Sequence, residues 1–120
     1  MIFNILMNED TFSKWQSQLR KGYLELCVMI TLNQKKTSYG FELLQLFQQA
    51  DVEVNEGTLY PLLNRMHKNG WLESNWVTPQ DSGHPRRHYE LSKAGKKLLP
   101  DMLEKNQQNQ VSLKNLGELT

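Results

Sequence analysis

From Leu19 onward, apolar positions recur at helical spacing. Leu19, Tyr23, Leu26, Cys27 and Ile30 share one face, and Val28, Met29 and Leu32 widen it. This predicts a first helix buried on more than one side, opened by the capping-box pair Ser13 and Gln16. Asn33–Thr37 is a polar turn. Ser38 is placed to cap a second helix, whose apolar positions Phe41, Leu43, Leu44 and Phe47 run to about Ala50. Asp51–Val54 is a short connection with room for one extended strand. Asn55 caps a third helix, and Glu56 suits its dipole. Leu59, Leu62, Leu63 and Met66 form the inner face of that helix, and Asn69-Gly70 closes it.

The period then changes. Trp71–Val77 is rich in aromatic and β-favouring residues, Thr78–Pro85 has loop composition, and Arg86–Leu91 places Tyr89 and Leu91 on one face. A long-looped hairpin follows from this pattern. Ser92 caps a last helical region. Pro100 predicts a kink there or the first turn of a new helix, since proline lacks the N–H that a helix interior uses. Beyond Leu103 the chain is polar until Val111, Leu113 and Leu116, so the apolar seam is interrupted. Three short helices, a hairpin and a further helix describe a mainly α winged helix-turn-helix. Residues 1–97 are read as the N-terminal helix with the winged domain, and residues 98–120 as a C-terminal dimerisation helix or tail.

Composition narrows the function. The chain has 120 residues, 38% of them hydrophobic, which fits one leucine-packed domain. A single cysteine excludes an internal disulfide. No stretch approaches the ~20 apolar residues of a membrane span. The apolar start Met1–Met7 lacks the basic flank and cleavage site of a signal peptide, so a cytoplasmic location and no membrane partner are expected. The net charge of +1 hides its distribution: residues 55–97 carry +3, while residues 1–54 and 98–120 carry −1 each.

The positive stretch holds the candidate chemistry. With its leucines inward, the third helix turns Thr58, Tyr60, Pro61, Asn64, Arg65 and Lys68 outward. Asn and Arg side chains match adenine and guanine edges, and Lys68 with the hydroxyls of Thr58 and Tyr60 suits phosphates. Gly57 leaves backbone N–H groups open to a phosphate. The loop and strand Gly83-His84-Pro85-Arg86-Arg87-His88 brings His84, Arg86 and Arg87 to a protruding tip, where arginine can enter a minor groove. Ser38 and Tyr39, at the start of the second helix, join them as candidate contacts.

Five segments in register resemble the PadR-like transcriptional regulators of the short C-terminal type. They are Leu19-Arg-Lys-Gly-Tyr-Leu-Glu-Leu, Ser38-Tyr-Gly-Phe-Glu-Leu, Asn55-Glu-Gly-Thr-Leu-Tyr-Pro-Leu-Leu-Asn-Arg-Met, Asn69-Gly-Trp-Leu-Glu-Ser and His88-Tyr-Glu-Leu-Ser-Lys-Ala-Gly. The resemblance implies a bacterial repressor that binds double-stranded operator DNA as a homodimer. The third helix would enter the major groove, the wing would reach neighbouring backbone, and the last helix would pair the subunits. It also implies release by a small aromatic effector at the dimer cleft, with Trp15 and Met102 as pocket candidates.

Other chemistries fare worse. Trp71 is read as core and Trp76 as support for the wing base. Cys27 lies on the buried stripe, where packing is the ordinary fate of a thiol rather than a redox switch. His67, His84 and His88 are scattered, without metal-ligand spacing. Neither a nucleophile motif nor a phosphate loop occurs, so no enzyme and no cofactor are expected. The alternative from another class is a winged-helix protein-interaction module without DNA binding.

Overall fold

The computed structural model describes residues 2–81 and 83–119, with side chains described from residue 10 onward. Its elements are α1 (Ile2–Lys35), β1 (Ser38–Tyr39), α2 (Gly40–Gln49), α3 (Glu56–Lys68), β2 (Leu72–Val77), β3 (Arg86–Leu91) and α4 (Lys93–Leu119). The winged helix-turn-helix architecture is as expected, with three differences in its parts.

First, α1 does not begin at Ser13. It is continuous from Ile2, and residues 10–15 are exposed helix. Phe12 and Trp15 carry the helical spacing of Leu19 and Tyr23 upstream on an exposed face, so the helix extends past the capping pair without adding to the core. Its core face also differs. Leu24, Val28, Met29 and Leu32 are buried, whereas Leu19, Tyr23 and Ile30, three members of the stripe read first, are exposed.

Second, the sheet has three strands in the order β1-β3-β2, all antiparallel. No strand forms at Asp51–Val54. The extra strand is Ser38–Tyr39, which pairs with Tyr89 and His88. Ser38 therefore does not cap α2. Tyr39 occupies that position with no side-chain capping bond, while Ser38 Oγ donates to Glu42 Oε1 at 2.6 Å. That bond, with Lys35 3.4 Å from the same carboxylate, holds the Glu42 carboxyl below the usual carboxylate range.

Third, α4 runs from Lys93 to Leu119 with Pro100 inside it, so no new helix begins there. Pro100 and Lys96 are both exposed, so water can satisfy the Lys96 carbonyl that loses its helical donor.

The remaining punctuation behaves as read. Asn55 Oδ1 accepts from the Thr58 N–H at 3.0 Å, and Ser92 Oγ accepts from the Gly95 N–H at 3.0 Å. Gly70 takes φ +82°, the left-handed turn that ends α3. Ser92 Oγ also donates to the Gly70 carbonyl at 2.5 Å, and its N–H reaches the Trp71 carbonyl at 3.0 Å. The start of α4 is thus fastened to the turn between α3 and β2. Gly95 is required there, because a Cβ at that position would drive into the Trp71 carbonyl. The core joins Leu24, Val28, Met29 and Leu32 of α1 to Leu43 and Phe47 of α2, the four inner residues of α3, Leu72, Tyr89, Leu91 and Leu99.

Candidate nucleic-acid interface

With Leu59, Leu62, Leu63 and Met66 fully inside, the opposite face of α3 is centred on Pro61, Asn64 and Lys68, all exposed. Tyr60 and Thr58 stand at its two edges, both exposed. Pro61 has no N–H for the Gly57 carbonyl, leaving the first turn open. Arg65 lies at the α1 edge. It is half-buried and lines a cleft with Ser17, Arg20 and Lys21 of α1 and with Gly57 and Thr58, and its buried Nε makes no hydrogen bond. At the other edge, the Tyr60 ring sits directly on Gly40, where a Cβ would strike it. Burial and the nearby Glu56 carboxylate raise the Tyr60 phenol.

The two wing arginines diverge. Alternation along β3 puts Arg87 on the face of Tyr89 and Leu91, and Arg86 on the opposite face with His88. Arg86 Nη1 donates to the Tyr39 hydroxyl at 3.0 Å, with its guanidinium carbon 4.7 Å from the centroid of that ring. Tyr39 and His88 rings lie 5.1 Å apart. Arg87 instead turns to α3: Nε donates to Ser74 Oγ at 3.2 Å, Nη1 to Asn64 Oδ1 at 3.3 Å and Nη2 to His67 Nδ1 at 3.4 Å. Both arginines border an open cleft of about 360 Å³ with Tyr39, Tyr60, Tyr89 and Trp76.

Most candidates therefore gather on one side of the molecule: the α3 face, Ser38 and Tyr39 beside β3, and the two arginines. Ser38 is buried and committed to Glu42, so it offers that side no free hydroxyl. His84 sits in the exposed loop before β3. His67 and Ser74 were missed as members, although the two-residue period already placed Arg87 with Tyr89.

The outlying candidates do not join this surface. Trp15 is 55% exposed on α1, 6.0 Å from the Phe12 ring, and Met102 packs half-buried against the core. The cleft between α1 and α4 is lined by Leu19, Tyr23, Leu26, Asn106 and Gln110, without either of them. Trp71 packs on the core as expected. Trp76 does not support the wing base; it is 70% exposed, because β2 continues past the edge of the core. Cys27 is half-buried, and burial raises its thiol more than the neighbouring Tyr23 hydroxyl lowers it. Among the described residues no three metal-ligating side chains stand together, and no helix is long and apolar enough to cross a membrane.

The sequence model of the PadR-like transcriptional regulator family matches residues 28–101, from the buried half of α1 to the first turns of α4. The chain belongs to this family. Solved structures agree with the assignment. A PadR-like transcription factor from Bacteroides fragilis is 33% identical over 86% of this chain and 98% of its own, with a TM-score of 0.73. A Streptococcus transcriptional regulator is 34% identical over 86% and 98%, with a TM-score of 0.68. A PadR-like regulator from Bacillus cereus is 30% identical over 82% and 95%, with a TM-score of 0.68. A comparison with curated proteins yields no match. This PadR-like chain is thus a member of a transcriptional-regulator family, and the family match takes in all of α2, α3 and the hairpin.

Proposed function

We propose that the chain is a cytoplasmic, sequence-specific DNA-binding repressor acting as a homodimer on an inverted repeat. The observation that carries this reading is α3. Its outer face is polar and basic, free of core duty at Pro61, Asn64 and Lys68, and flanked by a hairpin bearing Arg86 and Arg87. One such helix contacts few bases, so two copies about one DNA turn apart, roughly 34 Å, are the usual solution. The exposed apolar residues on α1 (Phe12, Trp15, Leu19, Tyr23) and on distal α4 (Val111, Leu113, Leu116) supply a surface for the second copy.

Occupancy of the operator blocks polymerase. A small aromatic effector in the dimer cleft, against Trp15 and Met102, releases the protein by preferring a spacing of the α3 helices that does not fit DNA.

Substitutions test the reader helix. Arg65→Ala relaxes base preference and costs roughly 1–3 kcal/mol where Arg65 grips guanine. Lys68→Ala weakens all duplexes about equally and flattens the dependence on salt. Unchanged affinity in both variants, measured by fluorescence anisotropy on DNA from upstream of the gene, would remove α3 from the interface.

A further inference from the structure

The sequence reading places Arg87 at the wing tip as a direct DNA contact. The geometry gives it other work. All three guanidinium nitrogens of Arg87 are engaged inside the chain, by Ser74, Asn64 and His67, and its guanidinium carbon lies 5.1 Å from the Tyr89 ring centroid. Ser74 and His67 also meet each other, Oγ to Nε2 at 3.4 Å. Arginine can only donate. The contact at His67 Nδ1 therefore puts the ring proton on Nε2, facing Ser74, and the cluster closes on itself.

The same one-way chemistry acts on Asn64. Its two amide ends are interchangeable in shape and opposite in chemistry. A guanidinium on one side fixes which end is which: the oxygen faces Arg87, so the NH₂ end points away from the wing. Asn64 is exposed at the centre of the outer face of α3. We infer that Arg87 is a positioning residue that holds Asn64 with its amide nitrogen outward, so that this position of α3 presents a hydrogen-bond donor to the base edge. A donor selects acceptor edges in the major groove, N7 and O6 of guanine, O4 of thymine or N7 of adenine. It discriminates against cytosine, whose groove edge is a donor.

This inference rests on the proposed DNA reading, and the test separates the two. Duplexes are selected from a randomised pool by wild type, Arg87→Ala, Arg87→Lys, Asn64→Ala and the Asn64→Ala/Arg87→Ala double variant. Affinity for the wild-type site is then measured across salt concentrations. Wild-type enrichment of a defined site reports the DNA reading alone; enrichment of nothing overturns both. Given a site, Arg87→Ala loses discrimination against cytosine at the one base pair where Asn64→Ala loses it, and binds that site roughly three- to tenfold more weakly. The double variant binds no worse than Asn64→Ala. Arg87→Lys keeps the charge and the stem over Tyr89 but not the fork, and does not restore the preference. The salt dependence stays at the wild-type slope in all variants. The inference is overturned if Arg87→Lys selects the wild-type site at wild-type affinity. It is equally overturned if Arg87→Ala lowers the salt slope by about one phosphate contact with base preference intact.

Discussion

Single residues carry two kinds of commitment in this chain. Some are spent on the fold, as Ser38 is on Glu42 and Ser92 on the turn that receives α4. Others are held ready at the surface, and Arg87 with Asn64 lies between the two. Cys27 belongs to the first kind. Half-buried beside Tyr23, its thiol is raised chiefly by burial, and only the thiolate reacts. At about pH 8, iodoacetamide should therefore label Cys27 more slowly than it labels a free thiol, with the rate still climbing above the ordinary thiol range. Labelling as fast as a free thiol would place Cys27 in solvent. The candidate residues on α3 were legible from the sequence, because four buried positions at helical spacing define their own opposite face. The divergence of Arg86 and Arg87 was legible in principle, since Tyr89 and Leu91 set the two-residue period. Both arginines lie in β3 rather than at the loop tip. The partners of Arg87 were not legible: His67 and Ser74 lie 20 and 13 residues away and meet it only through packing of the hairpin on α3.

At the scale of elements, hydrophobic spacing marks helices more faithfully than burial: Leu19, Tyr23 and Ile30 keep helical spacing on α1 and are exposed. α2, α3 and the hairpin pack against the core and were read nearly to the residue. Residues 10–15 of α1 are exposed helix ahead of the predicted start, and α4 stays helical through the polar run that interrupts its apolar seam. β1 is two residues long and escapes any periodic reading. The junction at the base of the wing is held closely. Gly95 lets α4 press on the Trp71 carbonyl, and Ser92 ties the same turn to α4. Gly95→Ala must move backbone rather than a flexible side chain, so it should destabilise the fold by roughly 1–3 kcal/mol, read as a lowered denaturation midpoint. A wild-type midpoint would mean that the junction is looser than its geometry. Gly117→Ala, at a solvated site of α4 with open space, is the matched control and should be neutral or slightly stabilising.

The whole molecule is elongated, 57 × 36 × 26 Å, and among the described residues the core occupies the winged portion with the adjoining turns of α1 and α4. Val111, Leu113, Leu116 and Leu119 on α4 and Phe12 and Trp15 on α1 are between 51% and 81% exposed. A single chain does not cover them, and a second copy would. Sedimentation at micromolar concentration should therefore give a two-chain species, and Leu113→Glu with Leu116→Glu should shift it toward one chain. A single-chain species in the wild type would count against the dimer and against paired recognition helices.

The charge pattern, +3 over residues 55–97 and −1 on each side, puts the largest net positive charge on the stretch that forms α3, the wing and the start of α4. Non-specific affinity should be weak and specific affinity should need both copies. The most direct measurement is a titration of the upstream duplex at low and at moderate salt against an unrelated duplex of equal length. Recognition as described predicts saturation at two chains per upstream duplex, weakening as salt rises, and much poorer binding to the unrelated duplex. No binding, or association that ignores both salt and sequence, would contradict it and point instead to a winged helix that docks on protein.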